Sequence, residues 1–201
     1  MLFIETYKEI QSNTDISYSI KRSKFIAYSF KVTTELEVKQ SIKKIKQSTP
    51  SANHHCYAYI LHPDQSIYRF NDDGEPRSTA GKQILKQIQK FQLTNTLIIV
   101  IRYFGGVKLG IRGLIKAYST VTLSVIKKSR IIDKDIEEKY TIIFKNSEIN
   151  NVMRLMKEYE LKILEREFDE NCKLVFLVTK TKSNIVLNRI NKNHKIKFIY
   201  T

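Results

Sequence analysis

The sequence predicts an α+β protein in two domains, residues 1–133 and a smaller ferredoxin-like domain of residues 137–201. Three observations predict this. A chain of 201 residues with 42% apolar side chains has room for one ordinary domain or two small ones. The stretch Asp133-Lys134-Asp135-Ile136-Glu137-Glu138 turns acidic in an otherwise basic chain and marks a boundary. After it come six segments in the order strand (139–146), helix (148–159), strand (161–168), strand (172–179), helix (183–192), strand (195–200). A βαββαβ order suggests a four-stranded sheet with both helices on one face.

The first domain reads as follows. Residues 3–19 are one or two short strands broken near Gln11-Ser12-Asn13, and Lys21-Arg22-Ser23-Lys24 is a basic turn before a strand at 25–30. Thr34 and Glu37 have capping-box spacing, and Val38, Ile42 and Ile45 repeat as a helical stripe until Pro50. Lys43, Lys44 and Lys46 lie off that stripe, as a solvated face would. His54 to Leu61 alternates as a strand, with His54, Cys56, Ala58 and Ile60 on one side and His55, Tyr57, Tyr59 and Leu61 on the other. A turn at His62-Pro63-Asp64-Gln65 returns the chain as a hairpin partner through Asn71. Asp-Gly and Pro in Asn71-Asp72-Asp73-Gly74-Glu75-Pro76 force a bend, and Ser78 or Thr79 caps a helix with the stripe Ala80, Ile84, Ile88, Phe91. Leu97 to Ile101 is a buried strand. A glycine-rich turn (Gly105, Gly106, Gly110, Gly113) leads to a helix carrying Leu114, Ala117, Tyr118, Val121 and Val125.

Charge singles out the end of this domain. The net charge is +15, and residues 1–130 hold 21 basic against 9 acidic side chains. From Arg77 to Ile132 there are eleven Lys or Arg residues and no Asp or Glu. Such a balance favours nucleic acid, ribosomes or anionic surfaces as partners and says nothing about fold. A helix N-terminus adds unpaired N–H groups and about half a positive charge. The glycine turn with Lys108, Arg112 and Lys116 is therefore the first candidate for a phosphate-facing surface. Its spacing fits neither G-x-x-x-x-G-K-[ST] nor G-x-G-x-x-G, so nucleotide-binding loops of those types are not indicated. The longest aliphatic run is five residues, far below a membrane span, and Cys56 and Cys172 form neither a disulfide framework nor a zinc motif. The start lacks the pattern of a signal peptide. A cytoplasmic setting without a membrane partner is expected.

Two other constellations could carry chemistry. Asp72, Asp73 and Glu75, beside Thr79 and Lys82, could hold a hard divalent cation, but capping of the next helix or pairing with Arg77 and Lys82 explains these residue types adequately. His54-His55-Cys56 could supply a Cys–His pair, but no residue that would orient the base can be named, so packed histidines are the expected reading.

Several of these segments together resemble the YigZ/Impact family. They are Asn71 to Pro76, Thr79-Ala80-Gly81-Lys82, Arg102-Tyr103-Phe104-Gly105-Gly106-Val107-Lys108-Leu109-Gly110, and Gly113-Leu114 to Ala117-Tyr118. His54 with Cys56-Tyr57-Ala58, and Arg22 with Lys24-Phe25-Ile26, fit its earlier motifs. The remainder resembles the C-terminal domain of bacterial members in length and pattern. The resemblance implies an Impact N-terminal-like α/β two-layer sandwich similar to domain IV of elongation factor G. It also implies a second domain similar to that factor's C-terminal domain. Eukaryotic relatives regulate translation through a co-activator of a stress kinase, using an additional RWD domain that this chain lacks. Ser78, Gln83, His55 and Arg112 stand where the family usually has glycine, proline, asparagine and glycine.

The expected function is that of a non-enzymatic protein binding RNA or the ribosome through Lys82, Arg102, Lys108, Arg112 and Lys116, with Tyr103 or Phe104 for stacking and no cofactor. The alternatives are a metal-dependent hydrolase using Asp72, Asp73 and Glu75, and a protein-interaction regulator of translation or stress signalling. His54, Asp72, Asp73, Glu75 and Thr79 are motif residues without an assigned role.

Overall fold

Residues of the first domain alternate between two apolar faces along each strand, and that alternation builds a sheet covered on both sides. The structure, a computed structural model, describes residues 5–199. In order the elements are β1 (Thr6–Ile10), β2 (Thr14–Ile20), β3 (Ser23–Lys31), α1 (Glu35–Ser48), β4 (His54–Leu61), β5 (Ile67–Asn71), α2 (Gly81–Lys90), β6 (Thr96–Tyr103), α3 (Gly110–Lys128) and β7 (Ile131–Asp135). The chain divides into two compact units, Tyr7–Lys134 and Asp135 onward, the latter counted with the segment that ends at Thr6.

In the first unit, five antiparallel strands lie in the order β2-β3-β6-β4-β5. The central β6 is buried nearly throughout, as its aliphatic run requires. Ile98 and Val100 point with Ala27, Cys56, Ala58 and Ile60 into a core closed by α2 (Ile84, Ile88) and α3 (Ala117, Tyr118, Val121, Val125). Leu97, Ile99 and Ile101 point the other way, with Tyr59 and Leu61, into a second core closed by Val38 and Ile45 of α1. The unit therefore has helices on both faces and three layers, where two were expected. The stripe on α1 is apolar because it too covers a sheet face.

Local chemistry sets the ends. Thr34 Oγ1 accepts from the Glu37 N–H at 3.2 Å, as the capping-box spacing predicts, but the Glu37 carboxylate reaches back to Thr33 N–H at 2.6 Å, one residue further than the motif specifies. The acidic boundary begins inside a strand. Ile131–Asp135 forms β7 and pairs with β1, and Gln11 N–H donates to Arg130 O at 2.8 Å. Glu9 on β1 is buried and bound to Lys31 (2.7 Å) and Lys134 (3.4 Å).

The second unit contains β8 (Glu137–Lys145), α4 (Ile149–Glu158), β9 (Lys162–Glu167), β10 (Asn171–Thr179), α5 (Lys180–Asn191) and β11 (Ile196–Ile199). Its sheet order is β11-β8-β10-β9, antiparallel throughout. Numbered within the unit that is 4-1-3-2, the ferredoxin-like order. Val152 and Met156 of α4 and Val186 and Ile190 of α5 share one core with Phe144, Leu174 and Phe176, so both helices lie on one face. No described helix is long and apolar enough to cross a membrane.

Candidate functional site

The site begins where β4, β6 and the two bends after β5 and β6 meet. Asp72 decides how α2 starts. The helix has no side-chain cap from its own N-cap residue, Ala80. The Asp72 carboxylate instead accepts from Ala80 N–H (3.0 Å) and Gly81 N–H (2.8 Å) at the helix start and from Ser78 N–H (2.8 Å) just before it. The expected cap, Ser78 or Thr79, is thus corrected. Thr79 Oγ1 donates to Pro76 O at 2.6 Å, and the capping oxygen comes from eight and nine residues upstream. Gly81 permits this closeness, because a Cβ there would lie 2.6 Å from Asn71 O.

Asp73 has different partners. Its Oδ2 accepts from His55 N–H at 2.7 Å and its Oδ1 from Lys46 at 3.1 Å. Burial raises the Asp73 carboxyl, but those bonds outweigh it and hold the group below its ordinary value. Lys46, expected on a solvated face, is pinned here. The Asp73 carbonyl accepts from His54 Nδ1–H at 2.9 Å, which leaves His54 Nε2 as an acceptor in the neutral ring. Thr49 Oγ1 donates to Ile45 O (2.6 Å), so His55 Nε2–H donates to that oxygen at 3.0 Å. Burial holds the His55 imidazole below its ordinary value despite the nearby Asp73 charge.

Glu75 faces inward. Its Oε1 accepts from Arg102 Nη1 (2.8 Å) and Tyr118 OH (2.9 Å) and lies 3.9 Å from His54 Nε2. The Cys56 thiol donates to Asp72 O at 3.0 Å with its sulfur 3.3 Å from Tyr118 OH, and burial pushes both the thiol and the Tyr118 phenol upward. Cys56 is a packed donor with the wrong ionisation for a nucleophile. The divalent-cation reading of Asp72, Asp73 and Glu75 is corrected by the same geometry: each carboxylate is turned to its own partner. Among the described residues no group of three His, Cys, Asp or Glu is placed to hold a metal ion.

The cationic candidates separate. Arg102 is 5% exposed, bonded to Glu75 and to Ser23 Oγ (3.3 Å), and lies between the rings of Phe25 and Phe104 at 5.5 and 5.4 Å from their centroids. It is neutralised internally, so its role as a free phosphate contact is corrected. Tyr103 points to the α1 side and packs on that core, so stacking falls to Phe104, which is 44% exposed. Lys82, Lys108, Arg112 and Lys116 are exposed, and among the described residues none lies within ion-pair distance of a carboxylate. Lys86 and Lys90, which the pattern reading left unassigned, extend the Lys82 row along α2. Helical spacing of four was the signal that could have found them.

A cleft of about 470 Å³ lies against the glycine turn, lined by Asn53, His54, Glu75, Arg102, Phe104 and Lys108, with the first turn of α3 on its far side. The turn is held tightly. Phe104 N–H donates to Asn53 Oδ1 at 2.7 Å, and a Cβ on Gly105 would lie 1.9 Å from Arg22 O. Gly106 and Gly110 have φ of +83° and +70°, which only glycine adopts without strain. Arg112, placed where the resembling family often leaves room, does not line the cleft.

The comparisons with known proteins fall on this unit. The Impact N-terminal domain matches residues 21–126, from the β2–β3 turn through most of α3. The IMPACT family member YvyE of Bacillus subtilis is 29% identical over 181 residues, spanning 90% of this chain and 83% of its own. An IMPACT family member of Haemophilus influenzae is 36% identical over 162 residues, spanning 78% and 77%. A solved structure described as a crystal structure of an hypothetical protein superposes with a TM-score of 0.78 at 24% identity, covering 98% of both chains, which establishes the shared fold. With the matched segment holding the Asp72 cap, the Glu75–Arg102 pair and the glycine turn together, the chain belongs to the Impact family.

Proposed function

We propose that this protein binds RNA, free or within the ribosome, through the solvent side of its α2–α3 layer, and acts in translation control. One observation carries the reading. Lys82, Lys86 and Lys90 recur every fourth residue on the exposed side of α2, Arg112 and Lys116 do so on α3, and Lys108 stands just before α3. No Asp or Glu occurs anywhere between Arg77 and Ile132 to offset them. Exposed cations without carboxylate neighbours exchange their counterions for phosphates, so they supply affinity without sequence preference. Translation control is the setting suggested by the family resemblance.

The test is the salt dependence of binding to a single-stranded RNA oligonucleotide, read by fluorescence anisotropy. Replacing Arg112 and Lys116 together with Ala is expected to weaken binding about tenfold at moderate salt. It should also reduce the slope of log affinity against log salt by roughly 1.4. A double variant with unchanged affinity and slope overturns the reading.

A further inference from the structure

The cleft beside the glycine turn has chemistry that a basic RNA-binding face does not need. Its floor is buried and rich in acceptors. Glu75 is 8% exposed, and both of its hydrogen bonds fall on Oε1. Among the described residues, Oε2 accepts none. In the neutral ring His54 Nε2 is likewise an acceptor, with Nδ1–H given to Asp73 O, and it lies 3.9 Å from Glu75 Oε1. One wall is the Phe104 ring, which has Arg102 near it at 5.4 Å and remains 44% exposed. The opposite rim is cationic. Lys108 lines it, and α3 begins there with no side-chain cap and no acidic residue in its first turn. The Glu75 charge is met by Arg102, so a simple anion would satisfy the rim but leave the Glu75 Oε2 acceptor unused. A plain amine would do the reverse. The cleft calls for a ligand with N–H donors at one end, a flat ring in the middle and an anionic group at the other.

We infer that this cleft receives a single unpaired nucleotide whose base edge presents N–H donors, with guanine the best match, an inference that rests on the nucleic-acid reading above. Guanine places a ring N–H beside an exocyclic amino group, two adjacent donors for the acceptors of Glu75 and His54. The base stacks on Phe104, as bases do on aromatic platforms. The phosphate lies toward Lys108 and the first N–H groups of α3, where a helix start favours an anion. The volume, about 470 Å³, is within the range of small-molecule sites. The basic face would then hold the strand without reading it, and the cleft would choose one base.

The test uses the full chain and calorimetric titration with GMP, IMP, UMP and inorganic phosphate. IMP differs from GMP only by the missing exocyclic amino group. GMP is expected to bind, with IMP and UMP weaker by roughly tenfold or more and phosphate failing to displace GMP. Phe104→Ala, a substitution at a half-exposed ring, is expected to weaken GMP roughly tenfold and to lower the melting temperature only slightly, through loss of the Arg102–Phe104 contact. Glu75→Gln should do the same where the variant folds, and Phe104→Ala keeps the proposal testable where it does not. No GMP binding at millimolar concentration, or equal affinities for GMP, IMP and UMP, overturns the proposal. If RNA is still bound in that case, the basic face stands without the cleft. If RNA binding is also absent, both readings fall.

Discussion

Ser78 sits at φ +63°, in the left-handed region, although it carries a side chain. Its backbone is fixed there from both sides: its N–H donates to Asp72, and its carbonyl accepts from Gln83 Nε2 at 2.7 Å. An L-residue in that region costs about 1 kcal/mol that glycine does not. Both bonds are made by backbone atoms of residue 78, so Ser78→Gly keeps them. The variant is expected to be more stable by a few tenths to about 1 kcal/mol, read as a higher urea midpoint with an unchanged slope. That observation also explains the family's usual glycine at this position, which the sequence shows only as a departure. Arg102 and Glu75 teach the opposite lesson. They are 27 residues apart, and charged side chains in a basic stretch read as surface groups. Pairing across β6 and the bend after β5 is a tertiary event with no local signature, so the sequence alone reads Arg102 as a solvent-facing cation.

Elements were legible where a period repeats. β4 spans His54–Leu61 as the alternation predicts, with both side-chain sets on the predicted faces, and α1 and α3 follow their apolar stripes. β7 was not legible. Its five residues, Ile-Ile-Asp-Lys-Asp, are too short and too charged to show alternation, and the strand exists because β1 lies beside it. The start of α2 was legible as a start but not in its chemistry. A remote carboxylate takes two N–H groups at the helix start, those of Ala80 and Gly81, and that of Ser78 just before it, where a Ser or Thr cap would take one. Asp72→Ala is therefore expected to cost about 2–3 kcal/mol, more than an ordinary cap deletion, and Asp72→Asn distinctly less. Urea denaturation of the two variants checks the order. Equal losses would mean that charge, not the acceptor geometry, holds the helix start.

At the scale of the whole molecule, the net charge of +15 makes acid an added burden, because every further proton increases self-repulsion. Two groups of the first unit contribute to where stability is lost. Burial lowers the folded-state value of His55 below 6.5, so the unfolded chain takes up the proton first. Stability linked to His55 is complete above pH 6.5 and declines as the pH falls through its depressed value. Burial raises Asp73, but its bonds to His55 N–H and Lys46 leave it below 3.8, so its contribution is present above 3.8 and is lost at still lower pH. Urea midpoints measured from pH 8 to pH 2 should fall in an upper step below pH 6.5 and a lower one below pH 3.8. In His55→Asn, which carries the family's usual residue, the upper step should vanish. A single step in both proteins would remove His55 from the account.

Arg102 reaches across the sheet and holds Glu75 from one side, Ser23 from another and two aromatic rings along its plane. Tyr118 and the Asp73 carbonyl fix the remaining members, Glu75 and His54, in single orientations. The cleft floor is thus preorganised. A guest entering it need not freeze loose rotamers, and the roughly 1 kcal/mol that each such side chain would cost stays with the complex.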